Sequence, residues 1–281
     1  MHQILIQFKS ISIFSIYVFV ALGLFTSLII LGKLAQKNRL RLQFILDIGP
    51  RLIIGGLIFG RLIALIENYQ FYFNRINTYT FLKLFAIWDK DIAFWGVILG
   101  ITIVLLKNCQ TRNENIKKWG DIGIISLMVM LTFRNFGTFL DGSNGGKPTE
   151  SFLGMTFNSS NVIYTVPIHP TQLYATFYTA IIAFVLYVLF KKYKNQFEGL
   201  IFLVGATLFS LLRFLEGFLR GDDVLKIFGL RLPQIVCLCL FIFFSKKLYN
   251  YQVQNKVPFL NWYEKTYTKI IHTFKKPFKK K

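Results

Sequence analysis

Charge is the first thing this sequence has little of. Asp, Glu, Lys and Arg make up 16% of its 281 residues, against roughly 25% in soluble globular domains. Acids are the scarcer sign, 13 against 33 Lys and Arg, for a formal net charge of +20. So little surface charge excludes a solvated globule, and 31 Phe within a 54% hydrophobic composition exclude a disordered chain. Cysteine is also scarce. Cys109, Cys237 and Cys239 are an odd number without ligand spacing, so neither a disulfide framework nor a metal site is expected. Cys237 and Cys239, two apart in an apolar run, point to different sides of a helix and read as small buried hydrophobes. No internal repeat or low-complexity tract stands out.

What is abundant is apolar length. Mean hydropathy is +0.49, and about seven runs are long enough to cross a bilayer, roughly 11–32, 43–67, 91–106, 121–140, 168–190, 199–219 and 230–245. The expected fold is all-α: a polytopic membrane protein of about seven transmembrane helices, one domain over 1–245 followed by a basic tail over 246–281. The first run is too long for a cleaved leader and has no small-x-small site before Lys33, so it reads as a retained anchor. Lysines and arginines fall mostly on one side: Lys33 to Arg41, Lys107 to Lys118, Lys191 to Lys194 and ten lysines after 245. That bias puts the C-terminus in the cytoplasm and, with seven crossings, the N-terminus outside. Trp88, Trp119 and tyrosines near span ends suit interfacial belts. The tail alternates lysines with Trp262, Tyr263, Phe274 and Phe278, a pattern for lying on an anionic leaflet at about 1 kcal/mol per lysine. No recognition motif accompanies it, so nucleic acid is not an expected partner.

Four arginines sit inside apolar spans: Arg51, Arg61, Arg134 and Arg213. A guanidinium at mid-membrane costs at least about 2.5–3.5 kcal/mol and calls for a cavity or a partner. Internal pairing of Arg213 with Glu216, or of Arg51 with Asp47, is one answer. An anionic ligand is the other, and a phosphate suits the planar fork of guanidinium donors.

Polar motifs gather at span ends. Gly49, Pro50, Gly55, Gly56 and Gly60 predict a kinked, closely packed second span. The fourth runs through Arg134 and Asn135 to Asp141, then into Gly142 to Thr149, where Gly145, Gly146 and Lys147 suggest either an anion-binding backbone nest or a plain turn. The fifth opens His169-Pro170-Thr171-Gln172-Leu173-Tyr174, with Pro170 in the first helical turn. The sixth ends Arg213 to Asp222, and the seven-residue spacing of Arg213 and Arg220 predicts one helix face.

In order and spacing these pieces resemble the prolipoprotein diacylglyceryl transferases: Gly60-Arg61-Leu62, Gly145 to Thr149, His169 to Tyr174, Arg213 to Asp222, and Gln234 in the last span. The resemblance implies a multi-pass protein of the bacterial cytoplasmic membrane. Its reaction is transfer of diacylglyceryl from phosphatidylglycerol to the lipobox cysteine thiol of a prolipoprotein, with glycerol phosphate leaving and no cofactor. It implies catalytic roles for His169, Arg134, Arg213 and Tyr174. Binding of phosphatidylglycerol is implied for Arg61, Arg220, Asn135, Gly146, Gln172, Glu216 and Gln234.

The chain departs from the family pattern where proton acceptors are expected. Trp95 stands in place of a histidine, Ser143 and Ala175 in place of glutamates, and Thr138 in place of an asparagine. Arg134 and Glu216 are each one residue displaced, a rotation of about 100° on a helix. An active, divergent transferase and a non-catalytic member that binds anionic lipid or lipoprotein precursors both follow, with an unrelated transporter as the remote alternative.

Overall fold

The computed structural model describes residues 4–8, 11–67, 92–143, 145–157, 166–193, 196–222, 224, 226–261, 266 and 268. Seven helices occur among them: α1 (Ser15–Lys37), α2 (Leu42–Glu67), α3 (Phe94–Thr111), α4 (Ile116–Asp141), α5 (Thr171–Tyr193), α6 (Leu200–Glu216) and α7 (Leu232–Asn255). Each corresponds to one expected span, because in lipid an apolar segment must satisfy its own backbone and the helix does so internally. All but α6 are long and apolar enough to cross a membrane. The 17 residues of α6 reach about 26 Å at ~1.5 Å per residue, a little short of a hydrocarbon core of about 30 Å. This is an all-α, multi-pass membrane protein.

Two boundaries differ from expectation. Residues 11–14 do not begin the first span. They form β2 (Ile11–Phe14), antiparallel to β1 (Ile4–Phe8), because alternating isoleucines favour a pleated strand over a helix. At the other end α7 runs on to Asn255, well past the expected end at 245. Trp88, Arg75, Lys83 and Lys90, and the tail residues Trp262, Tyr263, Phe274 and Phe278, lie outside the described residues.

The chain divides into two compact units. In the first, Ala35–Trp119, α2 and α3 pack along a glycine seam. A Cβ on Gly96 would strike the Phe59 carbonyl and one on Gly100 the Gly55 carbonyl, so only glycine permits this backbone approach, as membrane interfaces between helices favour. At one end of the pair Arg51 Nη1 donates to Asn108 Oδ1 (3.0 Å) while Arg112 bonds Asp47 (2.7 Å). Arg51 therefore takes an amide partner in place of the Asp47 expected from their spacing. Trp119 is also not a belt residue. It is buried against Phe44, ring centroids 5.4 Å apart, with Nε1 bonded to Glu114 (3.3 Å).

The second unit is Met1–Leu34 with Gly120–Lys281. Phe19 of α1 stacks edge-on against Phe136 of α4 (5.1 Å). Asp121, buried in α4, accepts hydrogen bonds from the backbone N–H groups of Gly199 (2.7 Å) and Phe202 (2.8 Å). It thereby caps the start of α6 from a neighbouring helix, satisfying donors that no intrahelical carbonyl can reach. Cys237 is buried in α7 and Cys239 exposed, the opposite faces that a two-residue step dictates. Only the first is a core residue. Beyond α6, β3 (Lys226–Ile227) and β4 (Leu230–Arg231) make a tight hairpin leading into α7.

Candidate active site

The helix ends of the second unit are held by a backbone platform. Gly146 N–H donates to His169 O (2.9 Å), His169 N–H to Lys147 O (3.0 Å), Lys147 N–H to Leu219 O (2.8 Å) and Gly221 N–H to Gly145 O (3.2 Å). Three segments, the loop after α4, the entry to α5 and the exit of α6, are thus stitched together. Glycine is required at the centre. A Cβ on Gly146 would lie 2.5 Å from His169 O and 2.8 Å from Leu219 O, both backbone atoms that cannot swing aside. The N–H groups of Gly146 and Lys147 are spent on carbonyls, and that of Thr149 donates to Pro167 O (2.9 Å). This stretch is therefore a β-bridge and not the anion nest its glycines suggested; Gly146 positions its neighbours.

Beneath the platform lies a small cavity of about 40 Å³ lined by Arg134, Asn135, Thr138, Gln172, Ala175, Arg213, Glu216 and Arg220. Glu216 is its hub. It accepts two bonds from Arg213 Nη1 (2.6 and 2.7 Å), one from Tyr178 Oη (2.7 Å) and a longer one from Arg220 Nη1 (3.4 Å). Arg220 Nε also bonds Asp222 Oδ1 (2.9 Å), whose other oxygen meets Arg231 Nη2 at 3.0 Å. Burial alone would raise the Asp222 carboxyl, but Arg220 and Arg231 outweigh it and hold it below the ordinary carboxylate range.

Arg134 differs from these. Among the described residues it makes no ion pair, and its nearest polar partner is Asn135 Oδ1 at 3.5 Å. Internal pairing therefore accounts for Arg213 and leaves Arg134 facing the cavity with its charge unanswered. Such an arrangement attracts an anion, and several guanidiniums converging on one space suit the oxygens of a phosphate.

A family model described as prolipoprotein diacylglyceryl transferase matches residues 3–248. The chain belongs to that family. It is 27% identical over 223 residues to the phosphatidylglycerol–prolipoprotein diacylglyceryl transferase of Clostridium tetani (strain Massachusetts / E88), a match covering 79% of this chain and 86% of the relative. To the enzyme so named in Prochlorococcus marinus subsp. pastoris it is 30% identical over 249 residues, covering 79% and 81%. To that of Thermosynechococcus vestitus it is 25% identical over 248 residues, covering 86% and 90%.

Six of the residues implied by the family resemblance line the cavity: Arg134, Arg213, Arg220, Asn135, Gln172 and Glu216. His169 and Tyr174 are not among its lining residues; they lie on the platform and at the start of α5, Nδ1 and Oη 3.4 Å apart. Gln234 braces the exit of α6: its Nε2 donates to Phe214 O (3.4 Å) and its Oε1 accepts from Arg231 N–H (3.1 Å). Arg61 is buried in α2, in the other compact unit.

Two of the family departures take on a physical meaning. A Cβ on Gly217 would collide with the Gln234 side chain, so position 217 faces α7 while the displaced Glu216 turns into the cavity. Ala175 lines the same cavity with only a methyl group. Arg213 and Arg220 do converge, but not on one continuous helical face, because α6 ends at Glu216 and a turn carries Arg220 back. Tyr178 and Arg231 were missed from sequence. Tyr178, one turn beyond Ala175 on α5, was legible from i,i+3 spacing, whereas Arg231 looked like one more loop charge.

Proposed function

We propose that this chain transfers diacylglyceryl from phosphatidylglycerol to the cysteine thiol of a prolipoprotein lipobox, in the cytoplasmic membrane of a bacterium, with its N-terminus outside. The observation that carries this is the convergence of Arg134, Arg213 and Arg220 on one cavity among membrane-spanning helices. In the reaction the thiol gives its proton to the His169 imidazole and its sulfur forms a bond to the glyceryl carbon of the lipid. The bond from that carbon to the phosphate oxygen breaks, and glycerol phosphate departs with one more negative charge than the diester had. Stabilising that developing charge is what preorganised guanidiniums supply. Arg134, without a carboxylate of its own, is free to move fully onto the phosphate, and Arg213 and Arg220 are held in place by Glu216. His169 and Tyr174, whose Nδ1 and Oη lie 3.4 Å apart, are assigned to the thiol, His169 to deprotonating it and Tyr174 to positioning it. The lysine bias of the loops and tail supports the assigned orientation.

The test is reconstitution with phosphatidylglycerol and a lipobox peptide, read by mass spectrometry. A diacylglyceryl mass gain on the peptide cysteine is expected. The second reading, a lipid-binding member without turnover, is favoured by the methyl of Ala175 in the cavity. Binding of phosphatidylglycerol with no mass gain, beside a working relative as control, establishes that reading instead.

A further inference from the structure

Arg220 is gripped from two sides. Its Nη1 reaches Glu216 (3.4 Å), and its Nε donates to Asp222 Oδ1 (2.9 Å). These anchors are unequal. Glu216 is buried and is itself fixed by Arg213 and Tyr178. Asp222 lies past the end of α6, and its side chain is 34% exposed. A carboxylate partly in water can swing out to solvent and take its guanidinium with it, unless another group holds it.

Arg231 is that group. Its side chain is only 7% exposed, and its Nη2 bonds both the main-chain carbonyl of Asp222 and the carboxylate Oδ2 (3.0 Å). One guanidinium thus fixes the backbone and the side chain of the same residue. Arg231 is fixed in turn: it pairs with Lys226 in the β3–β4 hairpin, and its own N–H donates to Gln234 Oε1 (3.1 Å) in the first turn of α7. Burying a charge is costly, and Arg231 is not among the residues lining the cavity. Asp222 already has a cation in Arg220, so neutralising it does not call for a second. A carboxylate divided between two guanidiniums neutralises neither in full, which leaves Arg220 more positive potential for an anion. We propose that Arg231 is a positioning residue for phosphate binding, acting through Asp222 to set where Arg220 presents its guanidinium in the cavity. This rests on the cavity being the site of the lipid phosphate and adds a residue outside it. Binding groups work when neighbouring side chains lock them to within about 0.5 Å of the productive geometry.

The test is a double-mutant cycle on phosphatidylglycerol affinity, with the full chain in nanodiscs and thermal unfolding recorded beside it. Arg231→Met, which keeps an apolar stem and removes the donors, is expected to weaken binding roughly tenfold. In an Arg220→Met background the same substitution changes affinity by less than about twofold, because its route to the phosphate is gone. Arg231→Lys returns a cation to Asp222 without the planar fork, and its affinity falls between those of the parent and Arg231→Met. Equal weakening by Arg231→Met with and without Arg220 overturns the proposal and marks a structural role only, since lost stability follows either background alike. Undiminished affinity in Arg231→Met overturns it too, as does a lysine variant no better than the methionine one. If Arg231→Met does not fold, the cycle is run with Arg231→Lys under the same criterion. A parent that binds no phosphatidylglycerol overturns the assignment of the cavity itself. A parent that binds it, with additive variants, leaves that assignment standing and removes only the role of Arg231.

Discussion

Arg134 and Arg213 line one cavity, yet their removal has different consequences for the fold. Arg213 holds Glu216 through two short bonds, and Glu216 is buried. Truncation in Arg213→Ala strands that carboxylate with Tyr178 at 2.7 Å and Arg220 at 3.4 Å. Breaking a buried pair costs about 3–5 kcal/mol when nothing else compensates; with two donors left the loss is about 2 kcal/mol. That corresponds to a fall in melting temperature of roughly 4–8 °C. Arg134 has no ion pair among the described residues, so Arg134→Ala removes a partly desolvated charge and leaves the melting temperature unchanged or raised. Both variants lose a charge-assisted contact to phosphate worth about 1.5–3 kcal/mol, a roughly ten- to hundredfold weakening of phosphatidylglycerol binding. The assay pairs a lipid titration with thermal unfolding in the same detergent. Equal destabilisation by the two variants, or undiminished lipid affinity in either, refutes the distinction between a paired and an unpaired guanidinium.

Three further outcomes follow. Gly146→Ala forces a Cβ against the His169 and Leu219 carbonyls, costing about 1–3 kcal/mol and lowering turnover by parting Arg220 from the loop; Gly123→Ala, with nothing within 4 Å, is the control, and a Gly146→Ala melting curve matching it counts against the platform. Asp222 titrates below its unfolded value of about 3.9, so the unfolded chain takes up the proton first. Its contribution to stability is complete above that value and is lost as the pH falls through the lowered folded pKa. Asp222→Asn should therefore flatten the acid limb of a melting-temperature profile, and an unaltered limb removes the carboxylate from the network. His169→Ala is expected to lower turnover with helical circular dichroism retained; full turnover excludes the imidazole from the reaction.

How far the fold could be read in advance follows from what enforces it. A bilayer accepts few solutions for an apolar run, so all seven helices are visible in hydropathy. The hairpin at 4–14 was hidden because Ile11 to Phe14 is apolar enough to extend a span, and only the isoleucine alternation distinguishes it. For the cavity, Arg134 and Arg213 in apolar spans and Gln172 in the His169–Tyr174 run marked helix ends that meet there, whereas Arg51 and Arg61 lie in the other unit. The pairing of Arg213 with Glu216 was one of two readings of their spacing. The bridge through Gly146 and the partnership of Arg231 with Asp222 join segments far apart in sequence. No periodicity encodes such contacts; they arise from how helix ends meet.

The stitched platform also sets a timetable for synthesis. Its loop follows α4, its middle segment precedes α5, and its last segment follows α6. A nascent chain delivered into the membrane only through α5 already holds His169 and Gln172, but has neither Arg213 nor Glu216 to complete the chamber. The chamber is therefore complete only once the segment carrying Arg213, Glu216 and Arg220 has been delivered, and a translation product stalled earlier lacks it.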